Sequence, residues 1–275
     1  MLPSFGPTSK CDLHLHTNRS DGKFTPSQLI ERALDGGLDI ISMTDHDLVC
    51  SVPAGVHRRG EQSLFLIHGA EVTGVHEGRE YHLLVYFPRN APQSFMEFCN
   101  QQIKDRQNRY TQALKNLPFN DLPSPKDLNE SGTEALTRHH LAQGLVNAGH
   151  ARSMNDAFKH FATRDNVPTI NVSFIECIRF ATACGGITSW AHPPVTDLKK
   201  HVQSFAEAGL TGLEALRPNV GQVARKTYKK MAKRHKLLFT GGSDWHGWKD
   251  QNLGLFYVHQ RDLEPFFQRL WAHAA

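Results

Sequence analysis

The feature that most constrains the fold is a repeated alternation of short apolar segments with amphipathic, helix-like segments. A strand predicted over residues 11–15 is followed by a helix over 26–35 and a second strand over 38–44. Gly36 and Gly37 follow that helix, as glycine commonly does at helix ends. Because parallel neighbouring strands need a crossover connection, usually a helix, this order favours a parallel sheet or barrel.

The rhythm continues with two more predicted strands, over residues 65–71 and 81–87, and returns near the C-terminus. Helices are predicted there at 174–184, 201–208 and 222–235, and strands at 187–191, 212–216 and 237–241. At 275 residues the chain is long enough for one large α/β domain or two ordinary ones.

Between these two parts the pattern is mostly helical, with helices expected over 95–117, 136–149 and 154–161 and a breaker-rich link over 118–125. We interpret it as an insertion in a loop on the face where the barrel strands end. The fold class predicted is α/β. Its expected parts are an N-terminal barrel segment at 1–89, a helical cap at 90–167 and a C-terminal barrel segment at 168–275.

Histidines and carboxylates recur at the predicted strand ends. The chain has 17 histidines, and His14 and His16 stand two apart, so a strand places them on one face. Similar groups recur at 44–47, 69–71, 81–82, 190–193 and 242–246. Since strands of a parallel barrel end at one mouth, these side chains are expected to meet there.

So many imidazoles and carboxylates in one place favour bound metal ions, and the donor types suit Zn²⁺, Mn²⁺ or Fe²⁺. The five cysteines are scattered and odd in number, which excludes a disulfide framework or a zinc ribbon. The net charge of +4 fits an anionic small substrate or a short nucleic acid.

At this point the sequence resembles a known family. The segments HxHTxxSDGxxTP (14–26), TDHD (44–47), GAE (69–71), HLL (82–84), AHP (191–193) and GSDWHG (242–247) together resemble the PHP, or polymerase and histidinol phosphatase, superfamily. Within it the chain looks most like the bacterial phosphoesterases of nucleoside 3′,5′-bisphosphates and RNA 5′ ends. The resemblance implies a distorted (β/α)7 barrel. Residues 138–146 resemble a segment of the cap in those proteins, although His139 stands where they usually have proline.

Carried across motif by motif, the resemblance implies three divalent metals per chain, with manganese expected first and zinc or iron as alternatives. The first metal is assigned to His14, His16, Glu71 and Asp244. Glu71 bridges to a second metal on His82 and His192, and the third is assigned to Asp21, His46 and His246.

The expected reaction follows from the metals, because a water shared by two cations loses a proton near neutral pH and attacks phosphorus as hydroxide. Glu71, His192, Asp244 and His246 are the predicted catalytic residues. Arg138 and His140 are predicted to bind the substrate phosphate from the cap, since a guanidinium fork matches phosphate oxygens. Two more predicted substrate-binding residues, Glu214 and Arg217, lie on a barrel strand end.

The function expected is hydrolysis of the 3′-phosphate of nucleoside 3′,5′-bisphosphates, and of short RNA 5′ ends. The alternatives are a histidinol-phosphate phosphatase, a PHP module without catalysis and, more distantly, a zinc amidohydrolase. The substrate is expected to be a nucleotide or short RNA, with no membrane or obligate protein partner. Residues 1–10 contain Pro3, Gly6 and Pro7 in place of an apolar signal segment, so we expect a cytoplasmic protein.

Overall fold

The structure is a computed structural model that describes residues 6–249 and 251–272. Residues 1–5 and 273–275, which are the outer ends of the two predicted barrel segments, lie outside the described residues. So do the first residues of the segment 1–10, in which we expect no signal sequence. The N-terminal elements are β1 Lys10–Leu15, α1 Pro26–Asp35, β2 Ile40–Met43, β3 Gly55–Arg59, β4 Gln62–His76 and β5 Arg79–Phe87.

Four helices follow, and the alternation of helices and strands then resumes. The four helices are α2 Gln93–Asn116, α3 Pro125–Glu130, α4 Arg138–Asn147 and α5 Met154–His160. The remaining elements are α6 Phe174–Ala183, β6 Ile187–Trp190, α7 Val195–Glu207, β7 Gly212–Leu216, α8 Gln222–His235, β8 Leu238–Gly241, β9 Val258–His259 and α9 Glu264–Ala272. The predicted α/β class is confirmed.

The strands form one sheet in the order β8-β7-β6-β5-β4-β2-β1-β9, with β3 paired to β4. The segment after β8 closes the sheet on β1. There Asp244 N–H donates to the His14 carbonyl at 3.0 Å, and His16 N–H donates to the Trp245 carbonyl at 3.0 Å. The result is a nearly closed barrel in which β1 and the segment after β8 meet beside the predicted metal ligands.

The strand directions differ from the predicted uniformly parallel barrel. β5 pairs antiparallel with both β4 and β6, and β9 pairs antiparallel with β1. β4 and β5 are joined by the two residues Glu77 and Gly78, both with positive φ (48° and 73°), which is the conformation of a tight hairpin turn. A tight hairpin needs no crossover helix, so this part of the sheet departs from the βα repeat.

Three apolar clusters of described residues hold the barrel together, and two of them include residues of β5. Val72 and Leu83 belong to a cluster with Phe174 of α6 and Phe205 of α7. A second cluster contains Leu84 and Tyr86, which share a face of β5 with His82 by strand alternation, and Phe266 and Phe267 of α9. The predicted ligands therefore sit on a packed core.

Helices α2 to α5 pack around their own apolar cluster, which includes Tyr110, Leu141 and Leu145. Buried Arg106 of α2 attaches them to the barrel: its Nε donates to Asp47 Oδ2 at 2.6 Å and its Nη2 to Thr73 Oγ1 at 2.6 Å. We call residues 90–167 the helical wall, because this segment forms one side of the cavity described below.

No helix within the described ranges is long and apolar enough to cross a membrane.

Candidate metal centre and substrate cavity

His14 and His16 lie at the end of β1 and point to the same side, as the i, i+2 spacing predicts. Both are buried, and their Nε2 atoms are 3.1 Å apart. Asp244 Oδ1 lies 3.3 Å from the Nε2 of His14 and 3.2 Å from that of His16. Three donor atoms therefore converge where the chain after β8 meets β1.

Glu71 links this group to a second one. Its Oε2 lies 3.4 Å from the Nε2 of both His14 and His16. Its Oε1 lies 3.0 Å from His82 Nδ1 and 3.1 Å from His192 Nε2. The carboxylate, which is buried, thus faces two separate sets of imidazoles and has the placement of a bridging ligand.

A third group forms around Asp21. Its Oδ2 lies 3.5 Å from His46 Nε2, and its Oδ1 lies 3.3 Å from His246 Nε2. His16 Nδ1 is also 3.5 Å from Oδ1, so His16 faces both this group and the first one. The fold therefore brings together all nine residues that the sequence predicted as ligands.

The backbone at two of these residues adopts an unusual conformation. His192 has φ 30° and Asp244 has φ 56°, in the left-handed region that residues other than glycine rarely occupy. Gly242 allows the close approach of the two closing strands, because a Cβ there would lie 2.5 Å from both Cβ and the backbone N of His14. The turns after β6 and β8 are therefore specialised to aim their side chains into the centre.

The donor set fits divalent transition metals. His46 Nδ1 is buried and has no hydrogen-bond partner, although Glu71 Oε2 is only 3.1 Å away. An unpartnered buried nitrogen is costly unless something accepts its lone pair, and a cation does so. Within this centre, three sets of described His and carboxylate atoms lie close enough to hold an ion: His16, Asp21, His46 and His246; His14, His16 and Asp244; and His46, Glu71 and His82.

The charges of the centre depend on one another. Burial raises the pKa of Glu71, but the imidazoles of His82, His46 and His14 outweigh it and hold that pKa well below its usual range. Burial likewise opposes ionisation of Asp21, whose pKa the imidazoles of His46 and His246 nevertheless hold well below normal. These carboxylates are therefore ionised at neutral pH, as metal binding requires.

Carboxylates outside the ligand set orient the centre. Glu214 on β7 is buried, and its Oε1 lies 2.7 Å from His14 Nδ1 while its Oε2 accepts from the His192 backbone N–H at 2.7 Å. Asp45 accepts hydrogen bonds from Thr17 and Ser20, which precede Asp21. Both oxygens of Glu214 are thus engaged with protein groups, and its predicted contact with substrate stays a prediction that this geometry does not support.

The centre opens into a cavity of about 780 Å³. One side of it carries Asp21, His46, His82, Asp244 and His246, and the helical wall contributes Arg106, Arg109, Arg138, His139 and Phe158. Arg109 Nη2 donates to Glu80 Oε1 at 2.8 Å, whereas its buried Nε has no hydrogen-bond partner. The cavity thus has metal-binding groups on one side and guanidinium groups on another.

The structure separates the two adjacent histidines of the helical wall. His140 Nδ1 accepts from the Thr137 backbone N–H at 3.0 Å, and its Nε2 donates to the Ser20 carbonyl at 3.0 Å. Both ring nitrogens of His140 are engaged with protein groups, so its predicted phosphate contact stays a prediction that this geometry does not support. His139 lines the cavity instead, and its buried Nε2 has no hydrogen-bond partner.

Arg138 and Arg217 differ in position. Arg138 is exposed at the cavity, where its guanidinium lies 5.8 Å from the ring centre of Phe158. Arg217 is not among the side chains that line the cavity; its Nη2 donates to the Tyr228 hydroxyl at 3.3 Å and its Nε lies 3.7 Å from Glu214. The buried Nε of Arg217 has no hydrogen-bond partner, as in Arg109, and its anion-binding role stays a prediction.

The sequence did not point to two groups in this cavity. Trp248 stacks on His139 with ring centres 5.2 Å apart, and its Nε1 donates to the Asp21 carbonyl at 2.6 Å. Its position two residues after His246 was the available signal. Arg109 had none, because a single arginine in a long polar helix is indistinguishable from a solvated one.

Comparison with known proteins agrees with this geometry. The PHP domain family matches residues 12–120. The 5′-3′ exoribonuclease Rnm of Salmonella typhimurium is 31% identical over 247 residues, covering 86% of this chain and 84% of that protein. The 3′,5′-nucleoside bisphosphate phosphatase of Chromobacterium violaceum is 24% identical over 274 residues, covering 94% of this chain and 94% of that protein.

A solved structure resembles the whole fold. It is that of a provisionally assigned metal-dependent phosphoesterase from Bifidobacterium adolescentis, with a TM-score of 0.74 and 26% identity over 94% of this chain and 96% of that one. This match covers nearly the whole of both chains. The chain therefore belongs to the PHP family and is a metal-dependent phosphoesterase.

Proposed function

We propose that this enzyme hydrolyses the 3′-phosphate ester of a nucleotide that also carries a 5′-phosphate. Its substrates would be nucleoside 3′,5′-bisphosphates and the 5′ ends of short RNA. The observation that carries the proposal is the cavity, which combines a metal-binding cluster with Arg109 and Arg138 on the facing helical wall. Such an arrangement suits a substrate with two separated anionic groups.

The relatives support this choice. One is named a 5′-3′ exoribonuclease and another a 3′,5′-nucleoside bisphosphate phosphatase. Both activities can break the same bond, between phosphorus and the 3′-oxygen of a 5′-phosphorylated nucleotide. In one case the group released from that oxygen is phosphate, and in the other it is the rest of the RNA. One cavity can therefore serve both reactions.

The residues proposed to hold three divalent metals are those that the sequence predicted. They form one set of His14, His16, Glu71 and Asp244, a second of Glu71, His82 and His192, and a third of Asp21, His46 and His246. When bound, divalent metals lower the pKa of water and neutralise charge on phosphate oxygens. Manganese is expected first, with zinc or iron as alternatives.

The chain's own side chains set the geometry of the reaction. Glu214 fixes the ring of His14 through a 2.7 Å contact with Nδ1 and leaves Nε2 facing the centre. Asp244, His192 and His246 are the most exposed of the proposed ligands, with side chains 38%, 32% and 28% exposed, so we place them next to the reacting phosphate. Water attacks phosphorus, the bond to the 3′-oxygen breaks, and that oxygen leaves with a proton. No side-chain nucleophile is needed.

The helical wall supplies the anchor for the 5′-phosphate. Arg138 is exposed at the cavity and Arg109 has a buried Nε without a partner. A guanidinium binds phosphate through charge-assisted hydrogen bonds, which are stronger than neutral ones. Binding energy from this non-reacting phosphate would position the reacting one over the metals.

The test compares Arg138→Ala with wild type on two substrates that differ only in the 5′-phosphate: a nucleoside 3′,5′-bisphosphate and the corresponding nucleoside 3′-monophosphate. A charge-assisted contact contributes roughly 1.5 to 3 kcal/mol, so kcat/KM for the bisphosphate should fall about 10- to 100-fold. The monophosphate should be affected much less. Lys226→Ala, which removes an exposed charge on α8, is the matched control.

Equal losses on both substrates would place Arg138 at the reacting phosphate and overturn the anchor. A wild-type enzyme that prefers histidinol phosphate to both nucleotides would overturn the proposed substrate class. Equal kcat/KM of the wild type for the bisphosphate and the 3′-monophosphate would also overturn the proposed substrate class.

A further inference from the structure

A second group of metal-binding side chains lies away from the catalytic cavity. His76 ends β4, Glu77 begins the hairpin turn and His201 lies in the middle of α7. One donor atom from each lies within 4.8 Å of the other two. None of the three lines the cavity, and none belongs to the predicted ligand set.

Strand alternation separates this group from the catalytic centre. His76 stands five residues after Glu71 on β4, so the two side chains point to opposite faces of the sheet. Glu71 faces the centre, whereas His76 faces α7 and meets the ring of His201 with centres 4.8 Å apart. The group therefore lies on the outer layer of the barrel.

The two imidazoles have no hydrogen bonds within the part of the chain that the structure describes; the nearest charged contact of His76 is Glu77 Oε1 at 3.9 Å. His201 is only 5% exposed. Its burial, together with the neighbouring His76, lowers the pKa of its ring, so it is neutral at physiological pH. A buried neutral imidazole with free ring nitrogens is a suitable metal ligand.

Packing alone accounts for part of this arrangement, because His201 also stacks on Phe205 with ring centres 5.7 Å apart. It does not account for the carboxylate beside the two rings. Glu77 is held by Lys200, whose side chain is 63% exposed and contacts Oε2. Oε1 remains on the side of His76, where it can complete a site.

We propose that His76, Glu77 and His201 form a binding site for one divalent transition metal, separate from the catalytic centre. Two imidazoles and a carboxylate match the donors preferred by Zn²⁺ and Co²⁺. Water would complete the coordination, since the site is open to solvent on the side of Glu77. The nitrogen-rich set selects these ions over Mg²⁺ and Ca²⁺, which prefer oxygen ligands.

The site would connect the elements that carry one half of the catalytic centre. β4 carries Glu71, β5 carries His82, and α7 begins three residues after His192. A metal that joins the β4–β5 hairpin to α7 would hold these three side chains in fixed relation. Its role is thus to fix the mouth of the barrel, without contact with substrate.

The experiment is equilibrium dialysis of metal-free protein against Co²⁺, with bound cobalt counted by elemental analysis. Wild type should hold one equivalent more than His76→Ala, while the catalytic centre contributes equally to both. His57→Ala is the matched control, because its imidazole donates to the Pro53 carbonyl and lies outside the cluster. It should hold as much cobalt as wild type.

A second measurement needs no variant. Cobalt should reduce modification of His76 and His201 by diethyl pyrocarbonate, measured by mass spectrometry, and leave His57 unchanged. Equal cobalt content in wild type and in a folded His76→Ala variant would overturn the site. Unprotected His76 in cobalt-saturated wild type would overturn it as well.

Discussion

The two sides of the catalytic cavity are built differently. The barrel side consists of short side chains at strand ends, buried and crowded, with donor atoms about 3 Å apart and carboxylates such as Glu214 behind them. The helical wall presents long arginine side chains: Arg138 is exposed at the cavity, whereas Arg106 and Arg109 are held by ion pairs with Asp47 and Glu80. One side is preorganised, and the other can adapt to its ligand.

This difference teaches where chemistry and recognition reside. Catalytic geometry must be held within a fraction of an ångström, which strands over a packed core provide. Recognition of a phosphate tolerates a flexible arginine on a helix. We therefore expect changes on the barrel side to affect every substrate alike, and changes on the helical wall to depend on the substrate.

The largest effect is expected from removing a predicted ligand on the barrel side. Asp244→Ala and His246→Ala should each lower kcat by about a thousandfold or more on all phosphate esters, because metal chemistry contributes several kcal/mol to catalysis. Circular dichroism should stay unchanged, since the core lies below the mouth. Treatment of wild type with a chelator should reproduce the loss.

Activity that survives in both variants, or in chelated enzyme, would contradict the barrel side as the catalytic side. A loss confined to nucleotide substrates would also contradict it. Small aryl phosphates have no second phosphate for the helical wall to bind, and their hydrolysis should be lost as well.

A smaller effect is expected behind the ligands. Glu214→Gln keeps the shape of the side chain but removes the charge next to His14 Nδ1. Partners of this kind typically contribute 10- to 100-fold in metal affinity or activity. We expect the variant to need about 10- to 100-fold more Mn²⁺ for half-maximal activity, with a similar kcat at saturating metal. An unchanged Mn²⁺ concentration for half-maximal activity would show that the charge of Glu214 does not support metal binding.

The last effect is on stability and not on activity, and it concerns how the helical wall is attached. Burial lowers the pKa of His140, which donates to the Ser20 carbonyl, to about 4. In the unfolded chain His140 takes up a proton near pH 6.5, whereas in the folded chain it does so only near pH 4. The free energy of unfolding therefore decreases as the pH falls between these values. The loss should reach at most about 3 kcal/mol.

His140→Gln tests this, because glutamine at the same helix position can still accept from the Thr137 N–H. Chemical denaturation of chelator-treated protein at several pH values should show a shallower decline from pH 6.5 to 4 in the variant. Parallel curves for the two proteins would contradict a buried neutral His140.

Much of the barrel side could be predicted from the sequence. Strand alternation fixes side-chain direction, so His14 and His16 had to converge, and the βα order implied a common mouth. The helices α1 and α8 lie at the predicted residues because their periodicity is a local signal, as is the Thr25–Gln28 capping box that begins α1. These features depend on near neighbours in the chain.

Other features depended on distant contacts and were missed. His139 and His140 were not told apart from the sequence. A local capping contact with the Thr137 N–H and a distant contact with the Ser20 carbonyl on the barrel together turn the His140 ring away from the cavity. The role of Glu214 could be assigned only from the position of His14 in the folded chain. The antiparallel direction of β5 follows from the two-residue turn before it, which interrupts an apparently parallel pattern. The domain boundaries predicted at residues 89 and 167 stay predictions.

The closure of the barrel has a consequence for folding. Ser243 N–H donates to Asp12 Oδ1, a partner 231 residues away in sequence, and Asp244 meets His14 at the same seam. Contacts between such distant residues form slowly, because a long loop must close before they stabilise anything. During synthesis the early ligands emerge from the ribosome long before Asp244 and His246. All nine predicted ligands come together only when this seam is closed, so a chain that presents the complete set of donor atoms has already closed its barrel.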